Sequence, residues 1–194
     1  MASKIDICNL ALARLGNENI LSIDDDTKRA KTLKAIYDVI RDITLVDNPW
    51  NFATRRMVLS QLMETPSFGY SYAYQLPSDP YCLRVLGLVG SNSSNVDPTI
   101  EYKIEGRQLL TNESAVRIKY IAQISNEGDF SPQFVSAFAY RLAAEVAYKI
   151  TGNATLKSEM MKEYLVELSK AKSIDAQEDT PEAWESENWA ASRL

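Results

Sequence analysis

The apolar period of this chain changes at Pro49. Before it, Ala30, Leu33, Ile36, Tyr37, Ile40 and Ile43 recur three or four residues apart, the spacing of one helix face. After it, Ile100, Tyr102 and Ile104 alternate with Glu101, Lys103 and Glu105, and Val116, Ile118 and Tyr120 alternate with Arg117 and Lys119. That is the period of a strand with one buried face. Proline cannot continue a helix, and it pushes the residue before it, Asn48, toward extended backbone. Trp50 and Phe52 follow at once, flanking the polar Asn51. The stretch 47–56 therefore turns a long helix into a β region around an aromatic anchor. From Ala53 onward Arg55, Met57 and Leu59 fall on one strand face and Arg56, Val58 and Ser60 on the other, with apolar residues on both.

The same reasoning assigns the rest of the chain. Ser3 and Asp6 form a capping pair for a first helix over 4–15, with Gly16 as its terminator. A second helix is expected over 26–46, with Asp24, Asp25 and Asp26 at its positive end. Strands are expected over 53–62, 72–76, 82–89, 99–105, 107–111 and 115–122, with a tight turn at Glu105-Gly106. The polar loop 90–98 is expected to be mobile, and 65–70 is a loop carrying Phe68 and Tyr70. Ser131-Pro132 is a cap followed by proline at the first helical position, opening a third helix that stops at Gly152. Its polar residues Arg141, Glu145 and Lys149 make one narrow stripe, so it is either the centre of the domain or shared with a neighbouring subunit. A fourth helix is expected over 154–174. The fold class is α+β. Helices at the two ends of the chain, 1–50 and 131–174, are expected to form a bundle, with an inserted antiparallel β-domain over 51–130 and an acidic tail over 175–194.

Composition removes several chemistries. Histidine is absent, which excludes triads with a histidine base, histidine metal sites and imidazole switches. Cys8 and Cys82 have no CxxC partner and read as buried small apolar residues, reduced in a cytoplasm. The three consecutive aspartates lack the ligand spacing of a calcium loop. No phosphate loop or dinucleotide fingerprint occurs. Arg55 and Arg56 point to opposite faces of a strand and make no single phosphate patch. Tyr70, Tyr72 and Tyr74 share one face, as on a half-buried edge strand. No apolar run approaches the ~20 residues of a membrane span, and the first residues lack the pattern of a signal peptide. No catalytic residue, cofactor or metal is expected.

The net charge of −5 is unevenly placed. Residues 175–194 hold Asp175, Glu178, Asp179, Glu182, Glu185 and Glu187 against Arg193 alone, and the rest of the chain is balanced. The same stretch holds Trp184 and Trp189, two of the three tryptophans. Free solvation of a large apolar side chain forfeits about 1.5–3 kcal/mol of burial energy. These tryptophans fold back on their own subunit, dock on another protein, or stay in solvent. Docking makes Trp184, Trp189, Glu182, Glu185 and Glu187 the candidate partner-binding residues. On that reading the segment is mobile in an isolated subunit and becomes ordered against a partner.

A set of motifs in order along the chain adds a resemblance. It takes in Ala11-Leu12-Ala13-Arg14-Leu15-Gly16, the span from Asp25-Asp26-Thr27-Lys28-Arg29-Ala30 to Pro49-Trp50-Asn51-Phe52-Ala53-Thr54-Arg55-Arg56, and Tyr72-Ala73-Tyr74-Gln75-Leu76-Pro77-Ser78-Asp79. It continues through Cys82-Leu83-Arg84-Val85-Leu86, Tyr102-Lys103-Ile104-Glu105-Gly106, Val116-Arg117-Ile118-Lys119-Tyr120-Ile121 and Phe134 to Gly152. Together these resemble the tail tubular protein A family of short-tailed phages over most of residues 5–175. The acidic, tryptophan-bearing end is not matched. The resemblance implies a non-enzymatic virion protein of the tail or neck, assembled in the host cytoplasm. It implies a ring of twelve copies that contacts the portal protein and the tail nozzle protein and extends the DNA channel without binding DNA specifically. No membrane partner is implied. Two other classes stay open: a different capsid-completion or assembly factor, and a glycan hydrolase built on two carboxylates across a cleft.

Overall fold

The computed structural model describes residues 2–90 and 93–178. Helix α1 spans Lys4–Arg14. Ser3 caps it through a reciprocal box: the Ser3 hydroxyl accepts the Asp6 N–H, and the Asp6 carboxylate accepts the Ser3 N–H at 2.9 Å. Those bonds hold the Asp6 carboxyl below its ordinary pKa. Gly16, at φ +66°, takes the left-handed position after the helix.

Helix α2 spans Lys28–Val46 and begins two residues later than expected. Its cap is Thr27, whose hydroxyl accepts the Ala30 N–H. The aspartates lie ahead of the helix, not within its first turn. Asp25 accepts the Leu21 and Ser22 N–H groups, Asp24 pairs with Lys34 at 2.6 Å, and Asp26 pairs with Lys31. A threonine oxygen at the cap satisfies the orphan donor that an aspartate would otherwise have met.

Helices α3, Pro132–Thr151, and α4, Ala154–Gln177, form a hairpin. Ser131 and Pro132 open α3 as its sequence implies, and Gly152 at φ +73° closes it. Helix α3 packs against α1, α2 and α4. Phe134, Ala137, Phe138, Leu142 and Val146 are fully buried within this one chain, which favours the core reading of that helix. Its polar stripe faces α4, where Glu145 meets Arg141 at 3.5 Å and Lys157 at 3.6 Å. Arg14 clamps α1 to α3 by donating to the Ser136 carbonyl at 2.8 Å and lying 3.4 Å from the Tyr140 ring.

The β region is antiparallel throughout but divides into two three-stranded sheets. The first has the order β1 (Thr54–Val58), β6 (Arg117–Ala122), β3 (Cys82–Leu88). The second has the order β2 (Tyr72–Gln75), β5 (Gln108–Thr111), β4 (Tyr102–Glu105). The single strand expected over 53–62 is shared between them. It pairs with β6 as far as Val58, Leu59 donates to the Val116 carbonyl, and Gln61 then bridges Tyr74 of β2. That crossing explains why the alternation in this stretch was imperfect. Tyr74 is buried and Tyr72 half-buried on β2, an edge strand as expected. The loop after β3 is not loose in its described part. Val96 bridges Val89, and the Asp97 N–H reaches the Leu88 carbonyl at 2.8 Å.

The β4–β5 turn consists of Gly106 and Arg107, both at positive φ, +53° and +63°. A two-residue turn of that handedness matches the twist of the strands it joins. A side chain in this conformation costs about 1–2 kcal/mol. What holds Arg107 there is its guanidinium, which donates to the Pro77 carbonyl at 2.7 Å and the Cys82 carbonyl at 3.3 Å and lies 3.8 Å from the Tyr81 ring. Hydrogen bonds from a charged group contribute about 1.5–3 kcal/mol, so the contacts outweigh the strain. The turn of one sheet thereby grips the entry to β3 of the other.

Buried residues of the helices and of both sheets form one contiguous apolar cluster. Its densest part is aromatic. Trp50 lies 5.3 Å from Phe134, Phe134 4.9 Å from Phe130 and 5.7 Å from Phe138, and Tyr37 5.1 Å from Phe138. The Trp50 indole N–H donates to the Thr44 carbonyl at 3.0 Å.

Trp50→Ala is expected to lower stability by about 3–5 kcal/mol, read as a fall in the urea midpoint. Arg107→Ala keeps the strained backbone and loses the guanidinium contacts, so it is expected to cost more than Arg107→Gly, which relieves φ; the two urea midpoints compare them.

Candidate interaction surface

The junction 47–56 becomes a four-way joint. Asp47, closing α2, accepts the Tyr164 hydroxyl of α4 at 2.5 Å. Asn51 donates its N–H to the Asp175 carboxylate at 3.2 Å and its side-chain amide to the Asp175 carbonyl at 2.7 Å. Helix α4 therefore runs past the expected end at Ile174, and Asp175 belongs to this joint, not to a separate tail. The consequence is positional. The described chain ends at Glu178 beside Asn51, Thr54, Arg56 and Lys119, which line one shallow hollow with it.

Strand β1 is exposed along most of its length, Met57 at 42% and Val58 at 66%. Register assigns its faces. Arg56 lies opposite Lys119 and Val58 opposite Arg117, so these four share the outer face of the first sheet. Met57 opposite Ile118 and Arg55 opposite Tyr120 lie on the other. The outer face is covered at one end, where Ile121 is buried and Arg84, opposite it, donates to the Val46 carbonyl at the end of α2. Gly87, opposite Lys119, carries Val96 on top of it; a β-carbon there would fall 2.2 Å from a Val96 methyl. The rest of that face is a basic strip of Arg56, Val58 and Arg117, which are exposed, and Lys119, which is half-buried. Reading Arg55 and Arg56 as a pair missed it, because the charges that join Arg56 come from β6. The alternation Arg117-x-Lys119 was the available signal.

Other large apolar side chains are exposed on both halves of the molecule. Val39 and Ile43 share a face of α2, and Leu165 and Val166 lie on α4. Met63 and Phe68 project from the loops before β2. A cleft of about 540 Å³ is lined by Phe68 and Tyr70 together with Glu64, Lys103 and Glu105. Lys103 and Glu105 pair there at 2.7 Å. Among the described residues, no three potential metal ligands cluster and no helix is long and apolar enough to cross a membrane. Trp184, Trp189, Glu182, Glu185 and Glu187, the candidate partner-binding residues, lie outside the described residues. No family model matches the chain, and no curated protein matches it.

Cys8 and Cys82 are free and buried, and burial pushes the Cys8 thiol up to about 12. Burial also raises Tyr37, Tyr74, Tyr120 and Tyr164, with the Asp47 carboxylate adding to the rise at Tyr164. These groups are neutral in the fold and ionise more easily in the unfolded chain, near pH ~8.5 for thiols and ~10 for tyrosines. Their contribution is complete below those values and lost as pH rises through them. Stability is therefore expected to fall above pH ~9, and both thiols to stay unreactive toward a disulfide reagent at pH ~8 until the protein is unfolded; alkaline unfolding curves and thiol counts check this.

Proposed function

We propose that this chain is a structural adaptor of a short-tailed phage, similar to tail tubular protein A, that forms a ring of twelve between the portal protein and the tail nozzle and lengthens the DNA channel. It works without catalysis, cofactor or metal. The ordered motifs over residues 5–175 motivate the reading, and the order helix, helix, strands, helix, helix agrees with it. The observation that carries it is the exposure of large apolar side chains on two unlike surfaces, Val39 and Ile43 on α2 and Met63 and Phe68 beside the sheets. A ring closed by head-to-tail contacts needs two different complementary patches on each subunit. A subunit that exposes apolar groups on both halves has the material for them. Residues 179–194, with Trp184, Trp189, Glu182, Glu185 and Glu187, supply a further contact to the portal or to an adjacent subunit. DNA passes through the ring without specific binding, and the virion tail or neck is its location.

Particle mass and negative-stain images, with and without portal-bearing capsids, test this. The wild-type chain is expected to form rings on portals. Val39→Asp combined with Ile43→Asp should leave stability within about 0.5 kcal/mol, since both sites are exposed, and impair ring formation. Removal of 179–194 should leave the fold intact and weaken attachment. A chain that ignores portals, or turnover of a cell-wall or capsular glycan abolished by replacing one acid, overturns the adaptor reading.

A further inference from the structure

We propose that the free edge of β4 and the cleft beside it bind an extended segment of another protein. The segment alternates basic with apolar residues and adds to the second sheet as a further strand. Strand β4 (Tyr102–Glu105) is the last in the order β2-β5-β4. Its two-residue turn makes Glu105 and Gln108 a hydrogen-bonded pair, and the ladder alternates from there, so Lys103 also bonds inward to Leu110. The N–H and C=O groups of Tyr102 and Ile104 are thereby turned away from β5. Among the described residues nothing meets them. Ile104 is 43% exposed, and Lys103 and Glu105 are exposed on either side of it. The free run starts at Tyr102, because the Glu101 carbonyl already accepts the Thr111 hydroxyl at 2.8 Å.

The cleft decides which residues fit. Lys103 and Glu105 share a face of the sheet with Leu110 of β5 and Ala73 of β2, and the last two are buried. The loop 64–70 crosses this face. It leaves from the β2 edge, where Leu62 donates to the Ala73 carbonyl at 2.8 Å, yet Glu64, Phe68 and Tyr70 line the 540 Å³ cleft together with Lys103 and Glu105 of β4. A strand added to β4 sends its side chains alternately over this cleft and beside Tyr102 and Ile104. The second set meets apolar groups. The first set meets two aromatic rings and the exposed Glu64, which has no ion-pair or hydrogen-bond partner among the described residues. An unpaired carboxylate beside aromatic rings suits an ammonium or guanidinium group. Lys103 does not reverse that preference, because Glu105 holds it at 2.7 Å. The same pair disarms the edge: a lone lysine there would guard against an added strand, and this one is neutralised along its own strand. Main-chain bonds supply the hold on the segment, and the cleft selects its residues.

The test uses the full chain and a labelled, end-capped peptide alternating lysine with valine. Fluorescence anisotropy measures its binding, and NMR follows the amides of Tyr102 and Ile104. The peptide is expected to bind saturably, to shift both amides and to slow their hydrogen exchange. A peptide alternating glutamate with valine should bind at least about tenfold more weakly. Glu64→Gln and Phe68→Ala, both at exposed positions, should each weaken the lysine peptide several-fold. Ile104→Pro removes an outward N–H at an edge, where proline is tolerated, and should abolish binding. If that variant fails to fold by circular dichroism, a lysine–valine peptide N-methylated at alternate residues carries the backbone arm and should not bind. Absence of saturable binding overturns the proposal. So does equal binding of the glutamate peptide, or binding indifferent to the loss of main-chain donors, which is charge attraction alone. Amide protection that grows with protein concentration in the absence of peptide overturns it too, since the occupant is then a second copy. Ring formation on portals is measured separately, so the adaptor reading and this one fail independently.

Discussion

Insertion of Trp50 beneath α3 is the contact on which the rest of the architecture depends. The proline before it ends α2, and the indole then anchors the chain at the point where its period changes. The indole N–H returns to the Thr44 carbonyl of α2, one of the carbonyls a helix end leaves unpaired. Its ring faces Phe134 of α3, and the turn that follows delivers Thr54 into β1. Helix end, core aromatic and first strand are thus set by one side chain. Fixing one residue's backbone costs about 1–2 kcal/mol, which a loop without an anchor would not recover over 47–56. Burial of an indole against Phe52 and Phe134 recovers it at the position where the direction of the chain must be defined.

The two sheets are held by a second device. They share no ladder, yet the crossing at Leu59–Gln61 and the grip of Arg107 on Pro77 and Cys82 join them. One link is backbone and the other a side chain reaching from a strained turn. Arg107 retains its positive φ because its guanidinium contacts offset the strain. Loss of the side chain would leave the strain with nothing opposing it.

Much of this was legible in the sequence, for reasons that differ by element. The caps at Ser3 and Ser131 and the stops at Gly16 and Gly152 were readable because each is a local hydrogen-bond or φ requirement that a few neighbouring residues determine. The α+β class was readable from the change of period. The division into two sheets was not, because which strands pair depends on contacts between residues such as Gln61 and Tyr74 that no local pattern encodes. The end of α4 was misplaced for the same reason. Its last turn is held by Asn51, far away in the chain. The basic strip was missed because its charges come from two strands, and only the register of β1 on β6 brings Arg56 to Lys119.

That register also bears on the charge distribution. The chain outside 175–194 is balanced in number, but the fold does not mix its signs evenly. Acids such as Asp38 and Asp42 of α2 gather round the buried Arg41, at 2.9 and 2.8 Å. Pairs of that kind draw carboxylates into the helical half. Arg56 and Lys119 are left facing outward on a sheet whose neighbours on that face are Val58 and Gly87. A local excess of cations on a neutral body must be met by solvent, by a partner, or by the acids the chain carries elsewhere. Those acids follow Glu178, and the joint at Asn51 and Asp175 places Glu178 beside the cations. The residue at the extended end of α4, Asp175, thus also sets where the last described residue, Glu178, meets those cations.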